Sequence, residues 1–150
     1  MKTILSLTFI LTLFFINTVL KAQLSSTDLR KGNPPPHKII MQLTSSDPEV
    51  HKALINQISA IKKRWVDSVW IDVVVHGPGM DILIAQKTAW EKEIEEFYKK
   101  GVIFYACENT LKQKNIPRES LIKSIDYIPF GLVEIVLKQE KGWSYLKAGF

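Results

Sequence analysis

Apolar and polar residues fall in blocks along this chain, and the length and period of each block separate strands from helices. KIIMQLT, residues 38–44, is a short apolar run between a proline stretch and Ser45-Ser46-Asp47, which predicts a buried strand. Asp47-Pro48 then reads as a helix start, because Asp accepts from unpaired backbone N–H groups and proline fits the first helical position. Val50, Leu54, Ile58 and Ile61 recur at helical spacing with Ala53 beside them, predicting an amphipathic helix that ends near Arg64 or Trp65. SVWIDVVVH, residues 68–76, is apolar along most of its length, the pattern of a strand covered on both faces. Gly77-Pro78-Gly79 breaks it at once.

Further along, MDILIAQ predicts one or two helical turns. TAWEKEIEEFYKKG is a helix with Trp90, Ile94 and Phe97 on one face and Gly101 as its stop. VIFYA, residues 102–106, is the third strand, and ENTLKQKN a short helix beginning at Cys107 or Glu108. IPRESLI gives a short turn and SIDYIP a short strand. FGLVEIVLKQEKG, residues 130–142, is the last helix, with Leu132, Val133, Ile135 and Val136 apolar, and WSYLKA a C-terminal strand.

Strands and helices alternate throughout, so the expected fold class is α/β: a three-layer α/β/α sandwich around a mostly parallel sheet of about five strands. In open sheets of this kind ligands bind beyond the carboxyl ends of the strands. The candidate positions are therefore Thr44, Ser45 and Ser46 after the first strand, and His76, Gly77, Pro78 and Gly79 after the second. Cys107, Glu108 and Asn109 follow the third, and Pro129 and Gly131 the fourth.

The chain starts unlike the rest. Lys2 precedes a run without charge from Thr3 to Leu20, and Lys21-Ala22 closes it. A basic start, an apolar stretch and a small residue at its end predict a secretory signal peptide over residues 1–22. The alternative, a membrane anchor, needs about 20 mostly apolar residues, and this run is shorter and diluted by Ser, Thr and Asn. Residues 23–37, QLSSTDLRKGNPPPH, read as a proline-rich tether, and 38–150 as one domain. The expected location is thus the periplasm or cell envelope, with no membrane association after cleavage.

The formal net charge of +5 includes Lys2 and Lys21, which leaves +3 beyond the leader. Acids are mixed among the bases, as in WEKEIEEFYKK, and no basic stripe interleaved with aromatics marks a nucleic-acid binder. The His, Cys, Asp and Glu residues lack metal-ligand spacing. HGPG lacks the spacing and lysine of a phosphate loop, and no Gly-x-Ser-x-Gly elbow occurs. No cofactor is expected.

One cysteine excludes an internal disulfide, so in an oxidising compartment Cys107 is buried and inert, tied to another chain, or kept for its reactivity. A helix start lowers a thiol's pKa, and His76 offers a cation or a base. His76 also fits a packing role in a glycine turn. His37 and His51 are expected away from this rim, in the tether and on the first helix.

IIMQLTSSDPEVHKALINQI, IDVVVHGPGM, KKGVIFYACENTLKQKNI and IPFGLVEIVLKQEKGWSYLK, in that order, resemble the DsrE/DsrF-like (YchN-like) family across residues 38–147. The most specific pieces are V-V-H-G-P-G, the G-V-x-F-x-A-C-x-N-T run and the Q-x-x-G-W-x-Y ending. The resemblance implies a compact α/β/α protein forming a homo-oligomer, a trimer or hexamer. It also implies a sulfur carrier with Cys107 as the persulfide site, tuned by His76, and a sulfur donor or acceptor protein as partner. Ser45 from the rim, and Gly77, Pro78, Gly79, Asn109 and Thr110 on the matching motifs, are the expected ligand-binding residues. Export sets this chain apart from cytoplasmic sulfur relays to tRNA. The other expectation is a non-catalytic oligomeric module that binds a small ligand or a protein.

Overall fold

The computed structural model describes Pro35 and residues 37–149; the expected leader and nearly all of the tether lie outside the described residues. Five strands form: β1 (His37–Leu43), β2 (Val69–Val75), β3 (Val102–Cys107), β4 (Asp126–Ile128) and β5 (Ser144–Lys147). Four α-helices connect them: α1 (Pro48–Trp65), α2 (Glu91–Lys99), α3 (Glu108–Lys114) and α4 (Gly131–Glu140). Gly77–Leu83 and Arg118–Ser120 are 3-10 segments. His37, expected in the tether, is the first residue of β1.

The start of α1 follows from its sequence: the Asp47 carboxylate accepts from the Glu49 N–H at 2.9 Å, and Pro48 opens the helix where no N–H is needed. All strand pairs are parallel, in the order β4-β3-β2-β1-β5. From β1 to β4 each step moves the same way across the sheet. Right-handed crossovers therefore put α1, the 77–83 segment, α2 and α3 on one face, over a large apolar cluster that includes Leu54, Ile58, Val73, Leu83 and Phe104. The step from β4 to β5 runs back across the sheet, and the same handedness puts α4 on the other face. A smaller cluster of Ile40, Val74, Ile128, Ile135 and Trp143 lies there.

This asymmetry has two consequences. Of the four apolar residues noted in α4, only Ile135 is buried; Leu132, Val133 and Val136 are exposed, and among the described residues no second helix shares that face of the sheet. The helix is also held by charge. Lys138 Nζ donates to Asp72 Oδ2 at 2.6 Å, lies 3.7 Å from Glu134 Oε1 and sits 4.3 Å from the centre of the Trp143 ring. Asp72 belongs to the central strand β2, and its side chain is 0 % exposed. All the described strands and the two described apolar clusters lie within residues 37–149, so this segment carries its own core. Among the described residues, no helix is long and apolar enough to cross a membrane.

Candidate functional site: the thiol rim

The carboxyl ends of β1, β2 and β3 bring Gln42, His76 and Cys107 to one rim, beneath the first residue of α4. Cys107 ends β3 and caps α3, with 3 % of its surface exposed. Its Sγ accepts a hydrogen bond from the Gly131 N–H at 3.3 Å. Burial raises the pKa of the thiol, but the Gly131 N–H, the Thr110 hydroxyl and the Thr110 and Asn109 N–H groups together outweigh it. The net result is a pKa below the ordinary thiol value. These donors sit at the first turns of two helices, where backbone N–H groups lack intrahelical partners and favour negative charge.

Thr110 also reaches the glycine turn. Its Oγ1 accepts from the Gly77 N–H at 3.2 Å, which leaves the hydroxyl hydrogen for Sγ. The chain Gly77 N–H to Thr110 O–H to Sγ couples the loop after β2 to the thiol, and each bond polarises the next. Gly77 adopts φ of +57°, a backbone conformation suited to glycine. Glu108, one residue beyond the thiol, is paired with Arg118, so its charge is compensated rather than left to oppose a thiolate.

His76 lies beside the thiol but bonds elsewhere. Its Nε2 faces Gln42 Nε2 at 2.8 Å, while Gln42 Oε1 accepts from the Tyr145 hydroxyl. With its oxygen engaged, Gln42 presents its amide N–H to His76, so Nε2 is the acceptor and the ring proton sits on Nδ1. Burial lowers the His76 pKa below its ordinary value, which keeps the ring neutral at pH 7. Of the roles expected for His76, the cationic one runs against its surroundings. The ring is held by Gln42 of β1, which Tyr145 of β5 holds in turn.

Gly131 joins the two residues. A Cβ added there would lie 2.9 Å from Val74 Cγ1, 3.5 Å from His76 Cδ2 and 3.6 Å from Cys107 Cβ. Only the missing side chain lets the start of α4 descend far enough for its N–H to reach Sγ. Gly79 has a different task. A Cβ there would be 2.6 Å from the Leu43 carbonyl oxygen, so this glycine lets the 77–83 segment pack on the end of β1. Pro78 is exposed in the same segment.

Ser45 serves the start of α1: its Oγ accepts from the Asp47 N–H at 3.1 Å, and its carbonyl oxygen faces His51 Nε2 at 2.8 Å. His51, expected away from the rim, is thus tied to the loop that follows β1. Asn109 donates its N–H to the Pro129 carbonyl at 3.2 Å as well as toward the thiol, fastening α3 to the segment before α4. Gln42, Tyr145 and Arg118 were not among the expected site residues. Glutamine one position before the end of a strand gives no signal until its neighbours are known.

No family model matches this chain, and no curated protein does. Among the solved structures that share the fold are two proteins of unknown function. One is a protein of unknown function from Methanobacterium thermoautotrophicum (MTH1491), 26% identical, covering 74% of this chain and 98% of that one with a TM-score of 0.64. The other is a conserved protein of unknown function from Bacteroides thetaiotaomicron (BT1422), 18% identical, covering 73% of this chain and 93% of that one with a TM-score of 0.59. The chain is an α/β protein with a five-stranded parallel sheet, of the same fold class as these two.

Proposed function

We propose that this protein handles sulfur in the cell envelope, with Cys107 as a persulfide carrier. One observation supports the reading above the rest. A single thiol at the carboxyl end of a central strand accepts from the Gly131 N–H and is surrounded by the Thr110 and Asn109 donors, which lower its pKa despite burial. The resemblance to DsrE/DsrF-like proteins, which implies a carrier cysteine after a central strand, supports the same reading. A thiolate is the nucleophile in sulfur exchange.

In the transfer, the Cys107 thiolate attacks the outer sulfur of a persulfide donor, R–S–SH. A bond forms between Sγ and that sulfur, the donor's S–S bond breaks, and R–S⁻ leaves with the electron pair. The product is Cys107–S–SH, with no net oxidation or reduction, and a thiolate acceptor removes the sulfur by the same exchange. The N–H groups that hold Sγ are placed to steady the anion, and neutral His76, fixed by Gln42, shapes the rim.

Incubation of the purified protein with polysulfide tests this. The intact mass is expected to rise by one sulfur atom or more, reversibly on adding a thiol, and Cys107→Ser is expected to gain none. A wild-type protein that takes up no sulfur would sink the carrier reading.

A second reading, a non-catalytic oligomeric module that binds a small ligand or a protein, draws on the exposed row Leu132, Val133, Val136 and Leu137 along α4. A homo-oligomer, a trimer or hexamer by the resemblance, covers such a row. The native mass in solution, and its fall in Val136→Glu, is the corresponding test.

A further inference from the structure

His76 is held along one edge of its ring and free on the other. Its backbone N–H donates to the Leu43 carbonyl at 3.1 Å, and its Nε2 meets the Gln42 amide at 2.8 Å, so two neighbouring residues of β1 fix both main chain and ring. Cδ2, bonded to Nε2, faces Gly131, 3.5 Å from where a Cβ there would stand. Nδ1 is bonded to neither of these atoms, and among the described residues it has no hydrogen-bond partner. His76 is half-buried, so this nitrogen is left for whatever enters the rim.

The last strand decides which ring nitrogen carries the hydrogen. Tyr145 pairs with Ile40 and Lys147 with Gln42, so Tyr145 and Gln42 point to the same face, two positions apart on neighbouring strands and within reach of a long aromatic side chain. The Tyr145 hydroxyl donates to Gln42 Oε1. Burial does not demand this bond, because Tyr145 is 38 % exposed and water could serve its hydroxyl. The effect of the bond is directional. It holds the Gln42 oxygen away from His76 and leaves the amide N–H facing the ring, so Nε2 accepts and Nδ1 bears the hydrogen.

That placement matters to a sulfur anion. Nδ1–H offers it a donor, whereas a bare Nδ1 would turn a lone pair toward it. Cys107 is the neighbour concerned: its Cβ lies 3.6 Å from the same point beside Gly131 that His76 Cδ2 approaches. A sulfur added to Sγ stands about 2 Å beyond it. The outer sulfur of a persulfide ionises more readily than a thiol and accepts hydrogen bonds as an anion. We propose that Gln42 and Tyr145 are positioning residues that keep the His76 hydrogen on Nδ1, where the ring donates to the outer sulfur of Cys107–S–S⁻. The inference rests on the carrier reading and deepens it: the Gly131 and Thr110 donors serve Sγ, and His76 serves the sulfur that arrives. The ring keeps its hydrogen throughout, so no proton is transferred.

The protein labelled with 15N in its imidazole rings provides the test, since nuclear magnetic resonance shows which ring nitrogen bears hydrogen. Its sulfur uptake from polysulfide is timed by intact mass. Three histidines give three ring signals, and His76→Gln identifies the one in question. In the wild type, above the ordinary histidine value, the hydrogen is expected on Nδ1. Gln42→Leu leaves Nε2 without a donor. The hydrogen is expected to move there, and uptake to slow about tenfold, the scale of one hydrogen bond to a charged group. Tyr145→Phe lets the Gln42 amide turn over, with a mixture of both ring forms and a smaller slowing expected. Tyr145 lies on an edge strand, so this variant keeps the test decisive if Gln42→Leu disturbs the sheet. Hydrogen on Nε2 in the wild type, a ring form unmoved by either substitution, or a changed ring form with unchanged uptake would overturn the proposal. A wild type that takes up no sulfur defeats the carrier reading and the donor role built on it. The ring signals, which need no sulfur, still decide whether Gln42 and Tyr145 set the state of His76.

Discussion

Asp72→Ala is expected to cost the fold about 3 to 5 kcal/mol, because it leaves a part-buried ammonium without its main partner. Lys138 Nζ lies 2.6 Å from Asp72 Oδ2, and the two side chains are 16 % and 0 % exposed. Glu134 remains 3.7 Å away and Trp143 still offers its ring face, so the lower end of that range is expected. Lys138→Met reverses the situation. It takes the Lys138 ammonium away from a carboxylate inside the sheet, and its cost is expected to be of the same order as that of Asp72→Ala. The double variant Asp72→Leu with Lys138→Leu is expected to recover much of the loss, since two apolar side chains need no partners. Denaturant unfolding of the four proteins checks this. Equal stabilities would show that the pair does not hold α4.

The second large effect is expected from Gly79→Ala. The new Cβ would stand 2.6 Å from the Leu43 carbonyl oxygen and 2.9 Å from its carbon, and backbone at the end of a central strand has little room to yield. Overpacking of this kind costs about 1 to 3 kcal/mol, and the upper end is expected here. The same carbonyl accepts the His76 N–H at 3.1 Å, so any shift also moves the rim. A thermal melt measures the loss, and a variant as stable as wild type would mean that the 77–83 segment packs less tightly on β1 than described. Gly77 contrasts with it. Nothing stands within 4 Å of a Cβ there, and its positive φ alone sets the preference for glycine.

Strands and helices were legible because each block has its own period. The consecutive valines of β2 and the three- and four-residue spacing in α1 need no tertiary information. The rim was legible too, since parallel topology puts strand carboxyl ends together, and it brought His76 and Cys107 to one place from 31 positions apart in the sequence. What could not be read was pairing at long range. The position of β5 beside β1 puts α4 on the other face, where among the described residues no second helix joins it and three of its apolar residues are exposed. Asp72 inside an apolar strand was a visible signal that a partner must exist. Nothing in the spacing named Lys138, 66 residues on. Gln42 and Tyr145, which set the state of His76, likewise meet only once β1 and β5 are paired. Topology put Gly131 among the rim positions, but its approach to Val74 and Cys107 is encoded by no local pattern.

A lowered thiol pKa also ties the site to stability. Deprotonation of Cys107 favours the folded state. That contribution is present above the ordinary thiol value and is lost as pH falls through the lowered one. The most direct test of the account is the rate of Cys107 alkylation against pH in the folded protein, measured beside Gly131→Ala. The account predicts a midpoint below the ordinary thiol value in the wild type, moving upward when the added Cβ lifts the Gly131 N–H from Sγ. A wild-type midpoint at or above the ordinary value, unmoved by the substitution, would contradict it and leave Cys107 as a packing residue.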